Sequence, residues 1–234
     1  MTRPTKEKLI VALDVPDIKS AQKLVDDIGD QAIFYKIGLE LMMSGCYFDL
    51  IKWLKSQNKK IFADLKLYDI SATVARSVAN LAKHDVDLLT IHTASKDIMS
   101  QAAQNKGNMQ IIGVTALTNL DQNDLLEMGF DPKLSLDELV MKKTDLALEA
   151  GLDGIVSSAL EAPKLRQKFG DDFLIVSPGI RLRNIESDDQ KRVADVTTAL
   201  NNGSSQLVVG RPITRDADPK SAAAEFNQLI AKHS

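Results

Sequence analysis

The chain has 234 residues, 44% of them hydrophobic and 26% charged, with a formal net charge of −3 at pH 7 and a pI near 5.7. This length suits one large α/β domain, the composition is ordinary for a globular protein, and the weakly acidic balance gives no reason to expect nucleic acid as a partner. One cysteine, Cys46, rules out an intramolecular disulfide, and the polar start from Met1 to Lys8 lacks a signal peptide's apolar stretch; no window approaches a membrane span, so the cytoplasm is the expected compartment.

Along the chain, short β-rich runs alternate with longer amphipathic ones. The pattern predicts strand Leu9 to Val15, helix Ile18 to Ile28, strand Ala32 to Gly38 and a long helix from Leu39 to Gln57. Strand Lys60 to Leu65, helix Ser71 to His84, strand Leu88 to His92 and helix Lys96 to Asn105 follow. Strand Gln110 to Leu117 leads into the longest irregular stretch, Thr118 to Ser135, with a short helix at Gln122 to Met128. The second half reads as helix Leu136 to Ala150, strand Gly154 to Ser158, helix Ala159 to Phe169 and strand Phe173 to Ser177. Helix Gln190 to Asn201, strand Gln206 to Gly210 and helix Pro219 to Lys232 complete it.

Eight near-continuous apolar strands alternating with helices argue for a parallel sheet covered by helices. Eight such units in this length predict a closed (β/α)₈ barrel, with residues 1–234 forming a single domain. A doubly wound open sheet is the alternative, but the first turn, Leu13-Asp14-Val15-Pro16-Asp17, carries no glycine, which counts against a dinucleotide fold.

Barrel active sites sit at the C-terminal ends of the strands. Polar residues collect there: Asp14 after the first strand, Lys36 on the second, Asp64 and Lys66 on the third with Asp69 just beyond, and His92 and Thr93 on the fourth. Thr115 and Thr118 follow on the fifth, Ser157 and Ser158 on the sixth, Pro178 to Arg181 on the seventh, and Gly210 to Thr214 on the eighth. The stretch Phe62 to Ile70 is the most informative. On a strand, Asp64 and Lys66 face the same side, and buried charges are too costly to fill a barrel interior without a task. An ion pair at a strand end is the bland explanation of that pair.

Gly210 and Arg211 offer close backbone approach and a planar fork of donors for phosphate oxygens, on a loop that often binds phosphate in barrels. Arg181 and Gln190 flank a polar loop long enough to fold over a ligand. Metal chemistry has weak support, because His84, His92 and His233 are scattered and none pairs with another ligand at metal spacing. His92 reads as a hydrogen-bonded barrel residue, while magnesium held by Asp14 and Asp64 stays open.

Six segments in register along the whole chain resemble the orotidine 5′-phosphate decarboxylase family. They are Leu13-Asp14, Tyr35-Lys36-Ile37-Gly38, Asp64 to Ile70, Pro178 to Arg181, Asp189-Gln190-Lys191-Arg192 and Gly210 to Thr214. The resemblance implies a cofactor-free homodimeric barrel, without metal, that makes uridine monophosphate. It implies that Lys66 protonates C6 of the pyrimidine, that Asp64 faces the substrate carboxylate, and that Lys36 completes the charge array and contacts the ribose. Asp69, with Ile70 and Thr73, would reach into the partner subunit's site. Asp14 would hold a ribose hydroxyl and Thr118 the pyrimidine edge, with Pro178 in the substrate site. Arg181, Gln190, Gly210 and Arg211 would hold the phosphate. The chain departs from the family's common pattern at Ser71-Ala72 and at Ser95-Lys96. Rival expectations are a magnesium-dependent sugar-phosphate decarboxylase or aldolase of the same suprafamily, a Schiff-base aldolase, and a catalytically dead nucleotide-binding barrel.

Overall fold

The computed structural model describes residues 4–182 and 193–233. The strands are β1 (Leu9–Ala12), β2 (Phe34–Gly38), β3 (Lys60–Leu67), β4 (Leu88–His92), β5 (Gln110–Val114), β6 (Gly154–Val156), β7 (Leu174–Ser177), β8 (Ile180–Arg181), β9 (Ala194–Asp195) and β10 (Gln206–Val209). Eight of them close into a parallel barrel in the order β1-β10-β7-β6-β5-β4-β3-β2, while β8 and β9 form a separate two-stranded pair. The expected (β/α)₈ architecture is therefore the observed one.

Two apolar layers hold it. Inside the barrel, Ile10, Ala12, Phe34, Phe62, Leu88, Ile112, Val176 and Val208 pack together. Between the barrel and its helices lies a larger core that includes Val11, Tyr35, Ile61, Leu89, Ile155 and Phe226. Strands with one face in each layer must be apolar on both sides, which is why β1 reads Leu-Ile-Val-Ala and is buried throughout. The helices bury one stripe. In Ile18–Ile28 the buried positions are Ala21, Leu24, Val25 and Ile28, and Asp17 caps the first turn by accepting the Ser20 N–H at 2.8 Å.

At the N-terminal end, carboxylates bind neighbouring strands together. Asp87 accepts the Ile61 N–H and pairs with Lys55, and Asp153 accepts the Ile111 N–H and pairs with Lys106. That end is built for stability and leaves the opposite end for chemistry.

Three expectations need correction. The helix expected from Leu39 to Gln57 is two, Leu39–Met43 and Tyr47–Ser56, because Gly45 takes a φ of +85° that no α-helix accommodates. The helix expected from Gln190 to Asn201 begins only at Val196, since Ala194–Asp195 pairs with Ile180–Arg181 as a strand and Asp195 caps the helix through the Thr198 N–H. Its first residues, with Gln190, lie outside the described residues. Strand β3 runs two residues past its expected end, for a reason that lies in the site.

Candidate active site

The C-terminal mouth of the barrel opens into a cavity of about 650 Å³. Its floor is apolar, made by Ala12, Phe62, Val114, Val156, Val176 and Val208. Its walls carry charge: Asp14, Lys36, Asp64 and Lys66 on one side, Arg181 and Arg211 on the other, with Thr118, Pro178 and Gly210 between them. The structure thus brings together nine of the residues to which the resemblance gives a role in the site.

The charged wall is set by strand register. Lys36 on β2 lies opposite Ala12 on β1, and Gly38 lies opposite Asp64 on β3, so three neighbouring strands bring their terminal side chains together. The Lys36 ammonium bonds Asp14 at 2.7 Å and lies 3.5 Å from Asp64. The Lys66 ammonium donates to the other Asp64 oxygen at 2.8 Å. Asp64 therefore sits between two ammonium groups.

Burial alone pushes Asp64 upward, but the Lys36 and Lys66 charges and the hydrogen bonds from Lys66 and Thr90 outweigh it and hold the carboxyl below the usual range. Burial pushes Lys36 downward, yet Asp64 and Asp14 more than offset this and its pKa ends raised. Asp64 and Lys36 are each held ionised by their neighbours. An ammonium already stands between the Asp14 and Asp64 carboxylates, where a bound cation would have to sit. Among the described residues, no group of three or more His, Cys, Asp or Glu side chains gathers as a metal site.

Lys66 reaches this place through an unusual backbone. Its φ is +47°, in the left-handed region that a lysine rarely adopts. The register jumps from Ala63 opposite Leu89 to Leu67 opposite Ile91, so three residues of β3 face the single residue Thr90. This bulge carries β3 past its expected end. Thr90 is fully buried; its hydroxyl accepts the Lys66 N–H at 3.0 Å and donates to Asp64 at 2.9 Å. Thr90 carries no signal of its own in the sequence, because inside Leu88-Leu89-Thr90-Ile91 it reads as one more strand residue. Thr214, at the end of the Gly210 to Thr214 segment, lines the cavity as well; Glu40, Asn119 and Arg215 also line it and carry no signal in the sequence but position, since each follows shortly after a barrel strand.

Asp69, Ile70 and Thr73 do not line the cavity of their own chain. Asp69 is exposed and accepts the Ile70 N–H at 2.6 Å, and among the described residues it meets no cation. His92 is half-buried, with no hydrogen bond among the described contacts. Its ring packs edge-on against Tyr68 with centroids 5.9 Å apart, so ring packing replaces the expected hydrogen bond. Burial, together with the Lys143 and Lys66 charges, pushes its pKa down.

Comparison with known proteins agrees with this geometry. The family model for orotidine 5′-phosphate decarboxylase / HUMPS matches residues 7–226. The chain is 48% identical over 228 residues to an orotidine 5′-phosphate decarboxylase of Methylococcus capsulatus, covering 97% of this chain and 93% of that one. It is 46% identical, with the same coverage, to the Nitrobacter winogradskyi protein of the same name. The crystal structure of orotidine 5′-phosphate decarboxylase from Lactobacillus acidophilus superposes with a TM-score of 0.85 at 34% identity, covering 96% of this chain and 99% of that one.

Proposed function

The chain belongs to the orotidine 5′-phosphate decarboxylase family and converts orotidine 5′-monophosphate to uridine 5′-monophosphate in pyrimidine synthesis; we propose that it does so without metal or cofactor, using the Lys36–Asp64–Lys66 array at the cavity mouth. The observation that carries this reading is the array itself: two ammonium groups fixed on one buried carboxylate, above an apolar floor.

The chemistry follows from the charges. Breaking the bond between C6 and the carboxylate leaves an electron pair on C6, in the plane of the ring, where no π system absorbs it. An ammonium fixed beforehand near C6 stabilises that charge as it develops and needs no reorganisation. Lys66 then gives its proton to C6, the carboxylate leaves as carbon dioxide, and solvent reprotonates the amine. Asp64 faces the substrate carboxylate, pairs with both lysines and favours the charged form of Lys36.

The rest of the cavity binds the remote parts of the substrate. Asp14 and Lys36 take the ribose hydroxyls, and Thr118 and Pro178 meet the pyrimidine. Arg181, Gln190, Gly210 and Arg211 hold the phosphate, whose binding energy aligns the ring for reaction. A Schiff-base mechanism needs a neutral lysine amine, and the carboxylates around Lys36 disfavour it.

Two copies share their sites in this reading. Asp69, Ile70 and Thr73 lie outside their own cavity, and Leu39, Met43, Tyr68 and Ile70 are large apolar side chains left exposed. In this reading a second copy covers these side chains, and its Asp69 loop completes the Lys66 side of the cavity. No helix among the described residues is long and apolar enough to cross a membrane.

The test is the absorbance of orotidine 5′-monophosphate mixed with protein and EDTA. Turnover with chelator present, abolished by Lys66→Ala while nucleotide binding persists, is the expected result. Substantial turnover by Lys66→Ala removes Lys66 from its role, and loss of turnover with EDTA overturns the metal-free reading.

A further inference from the structure

We propose that Thr90 is a positioning residue for the decarboxylation: its one hydroxyl orients the Asp64 carboxylate and holds the β3 bulge that aims Lys66 into the cavity. The inference rests on the roles given above to Lys66 and Asp64.

Thr90 does not line the cavity, so it acts only through its neighbours. Its side chain has no exposed surface and lies within an apolar strand, where a hydroxyl is costly unless it is fully bonded. Both of its bonds go to the charge array. It donates to the Asp64 oxygen that also accepts from Lys66, which leaves the second oxygen facing Lys36. It accepts the Lys66 N–H, whose place in the ladder is lost at the bulge. A left-handed lysine backbone costs on the order of 1–3 kcal/mol and persists only where its surroundings impose it. The Thr90 hydroxyl is the one side-chain acceptor that the described contacts give to that N–H. One group thus sets both ends of the Lys66–Asp64 contact, the backbone of the lysine and the rotamer of the carboxylate.

Packing alone would be served equally by valine, which has the same shape without the hydroxyl. Thr90→Val is therefore the test, beside Thr90→Ser, wild type and Lys66→Ala. Losing a hydrogen bond to a charged group predicts that Thr90→Val lowers kcat about 10- to 100-fold with KM within about threefold. Thr90→Ser recovers kcat to within about threefold of wild type. The acid limb of kcat moves to higher pH in Thr90→Val, because Asp64 has lost a donor that favours its charged form.

Wild-type kcat in a folded Thr90→Val overturns the proposal. So does an equal loss in Thr90→Ser, or a loss carried by KM alone. If Thr90→Val does not fold, Thr90→Cys, of similar size and a weak hydrogen-bonder, is judged by the same criteria. Substantial turnover by Lys66→Ala instead brings down the underlying reading, whatever Thr90→Val does.

Discussion

Asp64→Asn separates the two effects of the carboxylate, because it removes the charge and keeps nearly the same shape. In the folded chain Asp64 has only 13% of its side chain exposed and lies 2.8 Å from one ammonium and 3.5 Å from another. At an effective dielectric of about 20 these gross attractions are about 6 and 5 kcal/mol, most of it offset by desolvation. Removing one partner of a buried pair costs about 3–5 kcal/mol, because the remaining charges stay buried and uncompensated. For a chain of this size that lowers the melting temperature by about 6–20 °C.

The kinetic consequence differs from the structural one. Without its carboxylate Lys66 loses the group that fixes its ammonium, and loss of one preorganised charge lowers kcat about 10²- to 10³-fold. Binding moves the other way: two ammonium groups without an anion between them welcome the substrate carboxylate, so KM stays level or falls. Steady-state kinetics on orotidine 5′-monophosphate, with a thermal melt of the same sample, read all three quantities. A kcat within tenfold of wild type, or a KM rising as far as kcat falls, would refute the reasoning, because either shows that Asp64 only binds.

The pH dependence follows from the same pair. The Asp64 pKa is depressed below its ordinary value of 3.8, so its contribution is complete above that value and lost as pH falls through the depressed one. Lys36 is raised above 10.5, so its contribution is complete below that value and lost as pH climbs through the raised one. The stability gap between wild type and Asp64→Asn should therefore stay flat from about pH 5 to 9 and close only in acid or strong base; a gap that titrates near pH 7 in denaturant melts would contradict it. Arg211→Ala should weaken binding about 10- to 100-fold through lost charge-assisted hydrogen bonds, and equal losses for ligands with and without a phosphate would rule out that contact. Mixing inactive Lys66→Ala and Asp69→Ala chains should restore about a quarter of wild-type activity, because half the two-fold dimers are mixed and each has one whole site. No recovery after subunit exchange would show that Asp69 does not act across the dimer.

Much of the barrel could be read in advance because burial on both faces forces its strands to be apolar without interruption. Leu88–His92 matches its expected bounds, and most other strands stop one to three residues short, where the backbone leaves the ladder and turns polar side chains into the mouth. The helix break at Gly45 is not legible in the sequence, because Leu39 to Gln57 keeps helical periodicity on both sides of a single glycine, and one glycine in a helix costs only about 1 kcal/mol. The charge array could be read from its strand-end positions. Its construction could not. Alternation along a regular strand put Asp64 and Lys66 on one face, and they do meet, but through a bulge with a left-handed lysine. A register shift depends on what the next strand offers, and Thr90 lies 24 residues away in sequence.

That construction explains why charge can be stored here. Three ions placed at random in a barrel mouth would repel, lose solvation and adopt several arrangements. Here β1, β2 and β3 run parallel and in fixed register, so Asp14, Lys36 and Asp64 alternate in sign across neighbouring strands. On a regular strand Lys66 would share a face with Asp64 at a spacing set by the pleat. The bulge frees Lys66 from the pleat, and the Thr90 hydroxyl satisfies the N–H that the bulge strands. The strain at one residue and the desolvation of two lysines are borne by a barrel whose opposite end is tied by Asp87 and Asp153. A rigid scaffold is what lets an ammonium wait at a fixed place for charge that appears only when the carbon–carbon bond breaks.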